Sequence, residues 1–411
     1  TMDCRPPRGS TYLTIGQDLF SIQEYVTEQY NASLHSGRTA PASSFSPAAA
    51  MFYTDIQTLR GLDRPVDYGS GIEYADGIID SLFPDQHVGI QIGLWLNGTS
   101  GARDILSGEL DENVDKLVEY LATTKATKVF LRVGYEFDNP SFGYSDDPAA
   151  YKAAFQHLVR QCRQRPLCYG KVEFVWHSWA AGRIGTLQDF YPGDDFVDWV
   201  GVSIFNQFFP WAVGQGELAD VIEVLEFAQD HDKPSMIAES APFGGIELDP
   251  EITEGYDTGY NITDPWDRWF QPTLDLIEEY DIGMWSYINC DWESQPMWHN
   301  IGFGETRLST NKSVMKKWHA LILHGDRPFL GAGSLVTCGR STPVLGNQMG
   351  AMAMQSPTSS TTVPDAATWL ILVAGVAVCS FLWKQKRQTP RELGEQRTTQ
   401  ELMHMIRYGT V

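Results

Sequence analysis

The sequence predicts an α/β fold: a (β/α)8 TIM barrel, followed by a stalk and a single C-terminal transmembrane helix. Three observations carry this. Eight short apolar runs alternate with helical patterns over about 310 residues, as a barrel of this kind requires. A stretch rich in Gly, Ser, Thr and Pro follows, as in "QSPTSSTTVP", a composition that builds no packed core. Residues 366–383, "AATWLILVAGVAVCSFLW", then run 18 residues without a charge, about 27 Å as a helix and near the thickness of a bilayer core. The predicted boundaries are 1–325 for the barrel, 326–365 for the stalk, 366–383 for the membrane helix and 384–411 for a cytoplasmic tail.

The strand-like runs come in order as "TYLTIGQD" (11–18), "AMFYTDIQ" (50–57), "HVGIQIGLWL" (87–96) and "KVFLRVGYEF" (128–137). Then come "VEFVWHSWA" (172–180), "DWVGVSIFN" (198–206), "PSMIAESAP" (234–242) and "IGMWSYINCDW" (282–292). The second has loop-like flanks and the least strand character. Between the runs lie helical patterns such as "LDENVDKLVEYLATT", in which Leu110, Val114, Leu117, Val118 and Leu121 share one helical face. "PAAYKAAFQHLVRQC" and "ADVIEVLEFAQDH" read the same way.

Composition narrows the function. The 411 residues carry a formal charge of −22, which repels phosphate backbones and argues against a nucleic-acid partner. The basic "KQKR" after residue 383 favours the cytoplasmic side. The body is therefore expected outside the cell, as in a single-pass type I protein of the cell membrane touching the lipid bilayer through 366–383. The chain opens at Thr1, which suits a removed signal peptide or a fragment. Sequons at Asn31, Asn97, Asn261 and Asn311 fit an extracellular glycoprotein. Of six cysteines, five precede the membrane segment, so at least one is unpaired within the body. Cys162 and Cys168 flank "RQRPL" and suit a short disulfide loop. No His/Cys cluster suggests a catalytic metal and no Gly-rich phosphate loop stands out, so no cofactor is expected.

In a barrel of this kind the chemistry sits at the C-terminal ends of the strands. Run four ends at Glu136 and run seven at Glu239, two carboxylates on strands facing each other across the mouth. That is the pair glycoside hydrolysis needs. Glu136, between Tyr135 and Phe137, is expected to be desolvated and protonated, and Glu239 ionised. Arg132 shares a strand face with Glu136 and would hold or tune a carboxylate. Asp18 ends run one and would bind a sugar hydroxyl. His177 and Trp179 share a face at the end of run five, and His177 is a candidate substrate contact. Trp211, Trp292 and Trp298 would line a cleft.

The segments "FLRVGYEFDNPSFGY", "VEFVWHSWA", "YPGDDFVDWVGVSIFN", "KPSMIAESAP" and "MWSYINCDW" resemble the clan of retaining (β/α)8 glycoside hydrolases, closest to the mannanase-type family 26. The resemblance spans roughly residues 10–320. It implies Glu136 as acid/base, Glu239 as nucleophile and Trp285 as a floor under the reacting sugar. It also shows departures: Tyr135 replaces the Asn or His before the acid/base, and Phe205 replaces a Tyr that hydrogen-bonds the nucleophile, with Asn206 beside it to supply that bond. The implied activity is retaining hydrolysis of a β-linked polysaccharide, a β-mannan or a β-glucan. The alternative is a catalytically weak or inactive glycan-binding cell-surface receptor on the same barrel.

Overall fold

The structure is a computed structural model that describes residues 4–35, 46–84, 86–182, 185–209, 217–246, 264–336 and 338. Eight parallel strands close on themselves: β1 (Thr11–Gly16), β2 (Ala49–Asp55), β5 (Gly89–Trp95), β6 (Val129–Val133), β7 (Val172–Ser178), β8 (Trp199–Ile204), β9 (Ser235–Ser240) and β10 (Met284–Ile288), with β10 pairing back onto β1. Between the β2 and β5 runs a small antiparallel hairpin, β3 (Val66–Asp67) and β4 (Ile72–Glu73), is inserted. Helices that cover the barrel include α1 (Leu19–His35), α2 (Ala75–Leu82), α3 (Gly98–Ser107), α4 (Asp111–Thr123) and α5 (Pro148–Arg163). Further round lie α6 (Pro166–Lys171), α7 (Leu187–Phe190), α8 (Leu218–Asp230), α9 (Gln271–Glu279) and α10 (Lys312–His324). All eight predicted strands are present, the second included. The predicted face of α4 is buried at Val114, Leu117, Val118 and Leu121.

Barrel strands are covered by helices outside and by each other's side chains inside, so both faces are apolar. The floor of the interior is Tyr12, Ala49, Phe130, Val175, Trp199, Met236 and Met284. Above it Gln91 donates to the Ala238 carbonyl at 2.6 Å and accepts from Ser286 Oγ at 2.8 Å. Arg132, His177 and Ser203 lie higher up, at inward positions of β6, β7 and β8, all fully buried.

The barrel extends past the boundary predicted at 325. A further strand, β11 (Phe329–Leu330), pairs with Thr11 and Tyr12 of β1. Leu335 packs into the floor cluster, and Cys338 is disulfide-bonded to Cys4 with their Cα atoms 4.9 Å apart. Residues 329–336 and 338 therefore belong to the body: once a Gly-rich segment is folded against a barrel floor, a few apolar anchors suffice to hold it. Cys162 and Cys168 form the expected short-loop disulfide, and Cys290 is free and buried. The rest of the predicted stalk, the 366–383 segment and the tail lie outside the described residues. Among the described residues no helix is long and apolar enough to cross a membrane.

Candidate active site

β6 ends at Val133, and the chain then turns sharply through Gly134 and Glu136, both with positive φ (55° and 51°). A left-handed glutamate costs of order 1–3 kcal/mol and persists only where its surroundings hold it. Here they do. Phe137 N–H donates to the His177 carbonyl, and Phe137 stacks on Trp176 at 4.3 Å outside the barrel. Asp138 accepts from Ser178 Oγ and Trp179 N, both at 2.6 Å, and so ties the turn to the end of β7. The Glu136 side chain is left pointing inward, 7% exposed. Its Oε1 accepts from Ser203 Oγ at 2.7 Å and its Oε2 from Asn139 Nδ2 at 3.3 Å. Burial first, and the charge of Glu239 second, push its pKa up to about 8.

Glu239 reaches the interior by a different device. Met236 and Ala238 of β9 both belong to the floor cluster, so strict alternation would turn Glu239 outward. A register shift relative to β8, where Val202 pairs Ile237 but Ser203 pairs Glu239, resets the alternation. A bulge of this kind re-aims the side chain that follows it. Glu239 then faces in, 7% exposed, and accepts a hydrogen bond from Arg132 Nη1. Ser240 takes the outward side, where it accepts from Trp285 Nε1 at 3.0 Å.

Arg132 binds Glu239 and lies one residue removed from the partners of Glu136. Its guanidinium lies 5.0 Å from the Tyr53 ring centre and 5.5 Å from that of Tyr135. Its Nη1 is also 3.4 Å from His177 Nδ1. Burial opposes its charge, but Glu239 and Tyr53 outweigh this and hold the guanidinium protonated. His177, fully buried, is pushed well below the ordinary imidazole range by burial and then by Arg132. Room for Arg132 comes from Gly93: a Cβ there would lie 2.6 Å from Tyr53 and 2.9 Å from Arg132 Nη2.

Two aromatic groups flank the carboxylates. On one side Tyr135 is set against Tyr53 (5.3 Å), Phe142 (5.7 Å) and Trp95 (6.2 Å). On the other, Trp292 stacks on Phe303 at 4.3 Å, with Trp298 and Phe205 at its edge. Thr306 anchors Trp292 through a 2.8 Å bond to Nε1.

Several expected contacts take other places. Trp285, expected under the sugar, faces away from the barrel interior and packs on Trp318 and Phe329. Its inward neighbours are Met284 and Ser286. Tyr287 and Asn289 share its outward side, bonded to the Thr306 carbonyl and to Ser21 and Leu308. Asp18 caps α1, accepting from Phe20 N, Ser21 N, Ser21 Oγ and Gln295 Nε2, so its lone pairs are engaged within the protein. Asn206 is half-buried in the turn after β8, and the bond expected of it comes to Glu239 from Arg132. Both His177 ring nitrogens meet protein partners, Arg132 and Ser203. Trp211 lies outside the described residues. Sequence reasoning missed Ser203 and Tyr53. Inward parity on β8, counted from Trp199, would have found Ser203. Among the described residues no group of three or more His, Cys, Asp or Glu is placed to hold a metal.

No family profile matches the chain. A beta-1,3-xylanase from Vibrio sp is 28% identical over 347 residues, covering 80% of this chain and 69% of that one. A beta-1,3-xylanase from Alcaligenes sp is 27% identical over 328 residues, covering 76% of this chain and 63% of that protein's length. The chain is similar to the clan of (β/α)8 glycoside hydrolases, close to family 26. Among solved structures, a modular endo-beta-1,4-mannanase of family 26 from Cellulomonas fimi superposes with a TM-score of 0.49 at 15% identity, over 77% of this chain and 72% of that one.

Proposed function

We propose that the barrel hydrolyses a β-linked polysaccharide with retention, β-1,3-linked xylan first among substrates and β-mannan or β-glucan after it. The observation that carries the reading is the buried pair: Glu136 held protonated to about pH 8 and Glu239 bonded to a permanent cation. The relatives, both beta-1,3-xylanases, support the choice of xylan. In the first displacement Glu239 attacks the anomeric carbon through Oε2, since Arg132 engages Oε1. The glycosidic bond breaks as Glu136 gives its proton to the leaving oxygen. In the second, Glu136 takes a proton from water, the hydroxide oxygen bonds to the anomeric carbon, and Glu239 leaves. The partly exposed aromatics, Tyr135 and Trp95 on one side and Trp298 and Phe303 on the other, offer faces to sugar rings, whereas Trp292, expected to line the cleft, is buried behind them. We propose in addition that residues 366–383 anchor the chain in a membrane with the barrel outside.

The test is a screen of the full chain against β-1,3-xylan, mannan, mixed-linkage glucan and β-1,3-glucan. NMR of the first-formed product should show the β-anomer. Glu239→Ala should abolish turnover. Glu136→Ala should spare aryl glycosides whose leaving group needs no proton, and azide should rescue it to a β-glycosyl azide. Oligosaccharide binding without turnover of any β-glycan would replace this reading with a receptor.

A further inference from the structure

The two carboxylates are joined by a continuous hydrogen-bonded chain, and its direction is fixed by chemistry. Arg132 is a donor only. Its Nη1 faces His177 Nδ1 at 3.4 Å, so Nδ1 accepts and the ring proton is on Nε2. Nε2 then donates to Ser203 Oγ at 3.0 Å. Ser203, having accepted, turns its own hydrogen to Glu136 Oε1 at 2.7 Å. Oε1 takes the short bond, and Oε2, which Asn139 Nδ2 meets only at 3.3 Å, is the oxygen left to carry the acid proton. Arg132, His177 and Ser203 are all fully buried, so no water competes for these positions. They stand on three adjacent strands, and Glu239 on the next closes the chain at Arg132.

We infer that His177 and Ser203 are positioning residues, which relay the fixed charge of Arg132 into one hydroxyl orientation and thereby set the proton-bearing oxygen and the acidity of Glu136. The inference rests on the proposed role of Glu136 as acid and assigns His177 to the protein rather than to substrate. Arg132 also keeps His177 neutral: a protonated ring would turn an Nδ1 proton on the guanidinium and break the chain. The charged and titratable groups facing Glu136 are Glu239 from β9, Asp138 and Tyr135 from its own turn, and His177 behind Ser203, through which Arg132 of β6 connects. Glu239 and Asp138 raise its pKa, whereas the Ser203 and Asn139 bonds lower it. Removing the Ser203 donor therefore moves Glu136 upward.

The test is the pH profile of kcat/KM for the full chain. The parent's basic limb should fall near pH 8. Ser203→Ala should move that limb up by about one unit and lower kcat about tenfold with KM little changed. Ser203→Thr, which keeps the hydroxyl, should restore both. His177→Phe should shift the limb the same way by less, and the double variant should go no further than Ser203→Ala alone. A folded Ser203→Ala variant with an unmoved limb overturns the inference, as do additive shifts. A carbon-13 titration of Glu136 in glutamate-labelled protein, assigned by loss of its signal in Glu136→Gln, reads the same shift without turnover. A parent that cleaves no β-glycan would sink the functional proposal, and the titration alone would then decide on the relay.

Discussion

Glu136 keeps its proton through a pH range in which an exposed glutamate has lost it, and this has a consequence for stability. In the unfolded chain its pKa returns to the ordinary carboxylate value of about 4.3. In the folded chain it is raised to about 8, by burial and by Glu239. Between these values the folded state binds one more proton than the unfolded state, so stability falls as pH rises through the window and levels above it. Glu136→Gln removes that dependence. Its Tm relative to the parent should climb steadily from about pH 4.5 to about pH 8, measured by calorimetry in matched buffers; a constant difference would mean Glu136 titrates normally. Gly93 gives a second prediction. The methyl of Gly93→Ala has no place between Tyr53 and Arg132, so kcat/KM should drop at least about tenfold by misplacing Arg132, with an overpacking cost of about 1–3 kcal/mol by denaturant melt. Full activity would show that Arg132 tolerates displacement. The two acids were legible because each ends an apolar run. The side of Trp285 was not: a barrel strand is apolar on both faces, so alternation separates two faces without saying which is inside. Nor was the side of Glu239: alternation from Met236 and Ala238 would turn it outward, and the bulge that turns it in leaves no mark in the run.

At the scale of elements, strands and helices with a long apolar signature were readable, and those with two residues were not. The β3–β4 hairpin sits in "RPVDYGSGIEY", dense in Pro and Gly, and its pairing spans only Val66–Glu73 and Asp67–Ile72. Yet it brings buried Glu73 to accept Tyr53 N–H at 3.0 Å, bracing the ring beside Arg132. Helix capping sets the sequon asparagines apart. Asn311 is buried, its Oδ1 accepting from Ser313 N and Val314 N at the start of α10 and its Nδ2 donating to the Ile246 carbonyl. Asn97, in contrast, is exposed at the start of α3. Expression in a glycosylating host followed by peptide mass spectrometry should find Asn311 bare and Asn97 open to a glycan; a glycan on Asn311 would mean α10 is uncapped when the chain is modified. Asn311→Ala should cost about 1 kcal/mol or more as a lost cap, and Asn311→Asp should keep the cap while losing the bond to Ile246.

For the whole molecule, the alternation of runs and helices was enough to foresee a closed barrel, because eight parallel strands with helical crossovers have few other ways to bury both faces. How the barrel floor is closed was not foreseen. Leu335 seals it and Cys338 locks the segment to Cys4 beneath the strands, from a stretch whose Gly and Ser content reads as linker. The two disulfides then differ greatly in what they constrain. Cys4–Cys338 spans 334 positions and Cys162–Cys168 only 6. On loop entropy alone these are worth about 6 and about 2 kcal/mol. The pair Cys4→Ser/Cys338→Ser should therefore lower Tm well beyond Cys162→Ser/Cys168→Ser, compared by calorimetry at one pH and without reductant. It should also leave the pH profile of turnover unmoved, since the floor lies at the opposite end of the strands from Glu136 and Glu239. Equal losses of Tm would mean the unfolded chain is already compact near its ends, and a shifted profile would mean the floor and the mouth of the barrel are coupled.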